Sequence, residues 1–119
     1  MKRVYPLLLP VILFLFSFSQ VMDDKLTGHW VTIGNQSADI DFTADGHFKV
    51  MVNGNIENEG KYTLSKDVFS MYDNNCGMQV EGKYKLTFFT SDSLSFTLIA
   101  DSCINRNSEV NGGVIKRIK

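Results

Sequence analysis

The stretch "GKYKLTFFTSDSLSFTLI", residues 82–99, decides the fold. Tyr84, Leu86 and Phe88 alternate with Lys83, Lys85 and Thr87. After the polar "TSDS" at 90–93, Leu94, Phe96 and Leu98 alternate with Ser95 and Thr97. Side chains of an extended chain point to opposite faces in turn, so this period of two predicts two strands, each with one apolar face. The short polar segment between them predicts a hairpin.

The same pattern extends in both directions. "HWVTI" (29–33), "ADIDF" (38–42), "HFKVMV" (47–52), "GKYTLS" (60–65), "VFSMY" (68–72) and "GVIKRI" (113–118) complete a set of eight predicted strands. Asp45-Gly46 and Asn53-Gly54 mark turns between them. The apolar faces carry Trp30, Ile40, Phe42, Phe48, Val50, Val52, Tyr62, Leu64, Tyr84, Leu86, Phe88, Leu94, Phe96 and Leu98. In 68–72 both faces are compatible with burial, and the pattern selects neither. "SQVMDDKLTG" (19–28) and "INRNSEVNGG" (104–113) each have room for one helical turn. Strands joined mainly by hairpins predict an all-β, antiparallel up-and-down meander. Eight such strands can close into a barrel and so remove both edges. Alternation alone does not report closure, so a two-sheet sandwich is the alternative. A weak internal echo pairs "GKYTL" (60–64) with "GKYKL" (82–86), 22 residues apart, as two similar hairpins.

The first residues read differently. Lys2 and Arg3 precede the apolar "VYPLLLPVILFLFSF", and Ser17 and Ser19 supply small residues before a cleavage point. Residues 1–19 are therefore expected to be a signal peptide and 20–119 the domain. An uncleaved anchor is the alternative, but the run is shorter than the ~20 residues of a spanning helix and Pro10 interrupts it. No cysteine adjoins the cleavage point, which excludes lipid attachment there. Losing Lys2 and Arg3 leaves ten basic against thirteen acidic residues, a net charge of −3. No basic patch beyond the short "KRIK" argues for nucleic acid. An exported chain, periplasmic or extracellular, with two cysteines predicts a Cys76–Cys103 disulfide. It would close a loop of about 28 residues, worth roughly 3.5 kcal/mol.

"LTGHW" (26–30) resembles the start of the lipocalins and related calycin barrels, whose G-x-W opens the first strand. The order of Leu26 to Trp30, Asp45-Gly46 with Phe48, Gly82 to Tyr84 and Asp101-Cys103-Arg106 is similar to that of small lipocalin-like proteins exported by bacteria. The resemblance implies that Gly28 and Trp30 form a barrel-end plug, with a basic residue of the last strand packed across the indole. Arg117 is the best-placed match and Lys116 the alternative. The chain lacks the T-D-Y element and C-terminal helix of larger lipocalins, which argues against a deep cup.

Catalytic chemistry finds no residue set. Cys103 has no histidine nearby in sequence to act as a base. His29 and His47 lack companions at metal-ligand spacing. "DNNCG" (73–77) lacks the spacing of a calcium loop. No cofactor, metal or catalytic residue is expected. Asp101 and Arg106 are expected to form a loop salt bridge, with an anion site at Arg106 as the alternative. Two functions follow from the apolar face. The expected function is a non-catalytic binding protein: if the strands splay, Phe42, Phe48, Tyr62, Tyr84, Phe88 and Phe96 line a pocket for a small hydrophobic ligand. If the side chains interdigitate, the barrel is filled, and the chain is a structural or protein-interaction module such as an inhibitor or envelope accessory. The bridged segment "NNCGMQVEG" (74–82), read as a loop, would then be a contact candidate. Oligomeric state is not legible.

Overall fold

A computed structural model describes residues 24–34 and 37–118, so the expected signal peptide, 1–19, lies outside the described residues. Eight strands follow one another: β1 (Gly28–Thr32), β2 (Asp39–Phe42), β3 (His47–Val52), β4 (Asn55–Ser65), β5 (Val68–Asp73), β6 (Gly77–Thr90), β7 (Ser93–Asp101) and β8 (Val114–Arg117). One short helix, α1 (Ile104–Val110), lies between β7 and β8. Every strand pairs antiparallel with its sequence neighbour, and β8 pairs with β1. The sheet is thus a closed up-and-down barrel, not a sandwich. Closure leaves no full-length open edge for another chain to extend.

Inward residues supply a single core. Trp30, Tyr84, Leu64, Leu86 and Leu94 are essentially inaccessible, together with Phe42, Phe48, Tyr62 and Phe96. Val50, Phe88 and Leu98 are half-buried against them. β5 turns Phe69 and Met71 inward, settling the face that its sequence left open. Leu26 and Ile115 join the same core.

The outer wall follows a different rule. His29 stands opposite Asp41, Asp41 opposite Lys49, and Lys49 opposite Glu59. Charge thus alternates across four adjacent strands when His29 is protonated, and directly opposed unlike charges favour this register.

Two strands begin earlier than expected. β4 starts at Asn55, and β6 starts at Gly77, so the proposed 74–82 loop is reduced to the turn Asn74–Cys76. The reason is a large bulge. Met71 pairs with Gly82 and Asp73 with Gly77, leaving residues 78–81 opposite Tyr72 alone. A bulged, mostly exposed segment carries no clean period of two.

Gly60 and Gly82 mark sites of close backbone approach. A Cβ on Gly60 would lie 1.9 Å from the Tyr72 carbonyl oxygen. One on Gly82 would lie 2.6 Å from a carboxylate oxygen of Asp101. The echoed "GKY-L" segments therefore share a physical cause. Each places glycine opposite an aspartate, Gly60 opposite Asp73 and Gly82 opposite Asp101, and then buries a tyrosine and a leucine.

Candidate functional site

Trp30 is fully buried toward the end of the barrel at which β1 begins. Its indole N–H donates to the Leu26 carbonyl at 2.9 Å. Arg117 stands opposite Trp30 in the β1–β8 register, and its guanidinium carbon lies 4.4 Å from the ring centroid. The same guanidinium donates to the carbonyls of Thr27 (2.6 Å) and Lys25 (2.7 Å) and to Asp92 Oδ1 (3.0 Å). Gly28 adopts φ +130°, a region L side chains rarely enter, and a Cβ there would lie 2.8 Å from Arg117 Nη1. Gly28, Trp30 and Arg117 thus form one unit in which the cation stacks on the indole and its donors tie down the incoming chain.

Between the ends, aromatic rings pack against one another in the interior. Phe42 meets Tyr62 edge-on at 5.1 Å, Phe69 at 5.9 Å and Phe48 at 6.3 Å. Phe96 meets Phe69 at 5.5 Å and Tyr84 at 6.5 Å, both edge-on. Tilted and edge-on contacts at these separations are the favourable arrangements for packed aromatics. Five of the six candidate ligand-lining residues therefore belong to one ring cluster, Phe42, Phe48 and Tyr62 on one side and Tyr84 and Phe96 on the other, joined through Phe69. Phe88 lies at the Trp30 end, where Lys25 Nζ sits 5.3 Å from its ring centroid. The Tyr62 hydroxyl donates to the Thr43 carbonyl at 2.7 Å.

The opposite end is built around charge. Cys76 and Cys103 form a disulfide that joins the β5–β6 turn to the start of α1, so neither is a free nucleophile. Each cysteine donates its backbone N–H to an aspartate just before it. Cys76 donates to Asp73 Oδ1 at 2.8 Å and Cys103 to Asp101 Oδ1 at 2.9 Å. Arg106 of α1 connects the two carboxylates. Its Nε and Nη2 donate to Asp101 at 2.7 and 2.8 Å, Nη2 also donates to the Val80 carbonyl at 2.8 Å, and Nη1 lies 3.5 Å from Asp73 Oδ1. The Tyr84 hydroxyl donates to Asp101 Oδ2 at 2.5 Å, and Asn58 donates to Asp73 Oδ2 at 3.0 Å. The ionic side chains are 0–3% exposed. The expected Asp101–Arg106 pair is thus half of a larger cluster. Asp73 was not among the expected residues, although it completes the inward series Phe69, Met71, Asp73 on β5.

This environment moves the pKa values. Burial opposes the charge on Asp101, but hydrogen bonds from Arg106, Tyr84 and the Cys103 N–H outweigh it and hold the carboxyl below its ordinary value. Burial, then the adjacent Asp101 carboxylate, push Tyr84 well above its ordinary value. A depressed carboxyl pKa stabilises the fold above about pH 3.9, and that contribution is lost as pH falls through the native value. A raised phenol pKa contributes fully below about pH 10 and is lost as pH rises through the native value. The melting temperature should therefore fall below pH 4 and again above pH 10. In Tyr84→Phe the alkaline decline should be shallower. An unchanged alkaline decline would assign it to other groups.

The two histidines face outward, His29 against Asp41 and His47 with Nδ1 3.2 Å from Asp45. Among the described residues no group of three His, Cys, Asp or Glu side chains is placed to hold a metal ion. Nor is any described helix long and apolar enough to cross a membrane. Two surface concavities open on the outer wall. One, of about 390 Å³, is lined by Asp41, Lys49, Glu59 and Lys61, and the other, of about 520 Å³, adjoins the β6–β7 turn. Comparison with family models, curated proteins and solved structures finds no match.

Proposed function

We propose that the chain is an exported, lipocalin-like barrel that binds a protein partner through the rim at its disulfide end. The observation that carries this reading is the interior. The rings that would line a ligand pocket pack in two groups joined by Phe69, which supports a core over a cavity. The disulfide supports an oxidising compartment. Export itself rests on the sequence of residues 1–19.

The rim supplies what the interior does not. Each of the four connections at the disulfide end has an exposed large hydrophobic residue in it or within two residues of it: Ile33, Ile56, Met78 and Ile104. Ile104 is 79% exposed on a helix whose partner side faces the barrel. Four of the seven exposed large hydrophobics among the described residues thus lie at this rim, the others being Phe89, Ile99 and Ile118, and apolar side chains on an exposed rim fit a protein contact.

The test compares the native chain with the triple variant Ile56→Ser, Met78→Ser, Ile104→Ser. All three positions are exposed, so each substitution should shift the melting temperature by no more than about 2–4 °C. A partner recovered from the host's envelope or secreted fraction by the native chain should bind the variant at least tenfold more weakly. Saturable one-to-one uptake of a fluorescent fatty acid, equal in both proteins, would overturn the proposal and restore a small hydrophobic ligand as the function.

A further inference from the structure

The disulfide end is held together twice. The S–S bond joins Cys76 to Cys103 across Cα atoms 6.1 Å apart. Independently, Arg106 joins Asp73 to Asp101, and those aspartates fix the backbone N–H groups of the same two cysteines. The second connection does not pass through sulfur. It includes Tyr84 and Asn58 from the barrel wall and the Val80 carbonyl of β6. Cys103 is the N-cap of α1, whose Asn107 backbone N–H donates to the Cys103 carbonyl at 2.9 Å.

We infer that the Asp73–Arg106–Asp101 bracket holds Cys76 and Cys103 in place when they are reduced, so that the pair opens and closes as a reversible thiol–disulfide couple within the folded barrel. A staple across an otherwise untied loop would release that loop on reduction. Here, separating the β5–β6 turn from α1 would also take Arg106 away from buried Asp73 and from the Val80 carbonyl, leaving that carboxylate without its cation, which low-dielectric surroundings strongly oppose. Both cysteines are half-buried and lie outside the apolar core.

Closure needs a disulfide oxidant such as oxidised glutathione. One cysteine thiolate attacks a glutathione sulfur, forming a mixed disulfide and releasing one glutathione thiolate. The second cysteine thiolate attacks the protein sulfur of that mixed disulfide and releases the second glutathione. Two electrons pass to glutathione, and the two protons lost by the cysteines end on its thiolates. Opening by a dithiol runs the same exchange in reverse.

The full chain is reduced with a phosphine, freed of reductant, and returned to oxidised glutathione without denaturant. The reduced native chain should keep the near-ultraviolet dichroism and Trp30 emission of the oxidised form. It should re-form the bond at least tenfold faster than Arg106→Gln. Should reduced Arg106→Gln unfold while the native chain does not, the bracket is supported directly, and Asp73→Asn, which keeps the side-chain shape, should close at least threefold more slowly than native. A reduced native chain that unfolds would overturn the inference. So would closure of both variants at the native rate.

Discussion

Replacing Trp30 with alanine should cost about 3–5 kcal/mol, the range for deleting a large buried aromatic from a packed core. Three losses combine at this position. The indole is fully buried, so its removal leaves a cavity at the barrel end. The Leu26 carbonyl loses its donor. Arg117 loses the ring on which it stacks, although its bonds to Thr27, Lys25 and Asp92 remain. Urea unfolding followed by far-ultraviolet dichroism measures the change, because Trp30 is the chain's single tryptophan and the variant has no indole emission. A loss below 1 kcal/mol would show that the indole does not close the end, and the calycin resemblance would lose its main support.

Arg106→Met should be of similar size, about 3–5 kcal/mol, for a different reason. Methionine replaces the stem of the side chain, so packing is largely kept. What goes is the charge. Asp73 and Asp101 are then buried with no cation between them, and the Val80 carbonyl loses a donor. The cost is an unpaired buried charge and does not measure the worth of the pair. Adding Asp101→Asn to Arg106→Met should therefore destabilise by less than the sum of the two single changes, by roughly 0.5–3 kcal/mol. Strict additivity would mean that the two groups act separately despite their 2.7 Å contact.

Most strands were legible because one face of each is apolar and the other polar, as in 82–99. The first halves of β4 and β6 were not. "NIENE" and "GMQVE" are polar and bulged, and each runs past the end of one neighbour, β5 for β4 and β7 for β6, where burial no longer alternates. β5 hid its inward face because Val68 and Tyr72 compete with Phe69 and Met71 in hydrophobicity. Closure was invisible in principle, since alternation reports a strand's two faces and not its distant partner. At the disulfide end, two of the three ionic residues could be picked out from "DSCINR" (101–106). Asp73 could not, because "DNNCG" reads as a turn and a carboxylate is rarely fully buried. The signal that could have found it was the echo. Following each "GKY-L" segment to the next Asp-Cys group, "DNNC" and "DSC", aligns Asp73 with Asp101.

The chain also enters and leaves the barrel side by side. Arg117 binds the carbonyls of Lys25 and Thr27, and the Ile118 N–H donates to the His29 carbonyl at 2.9 Å. Both crossings are at the Trp30 end, and the disulfide rim is at the other. The described chain therefore crosses into and out of the barrel at one pole, while the exposed Ile56, Met78 and Ile104 lie at the opposite pole.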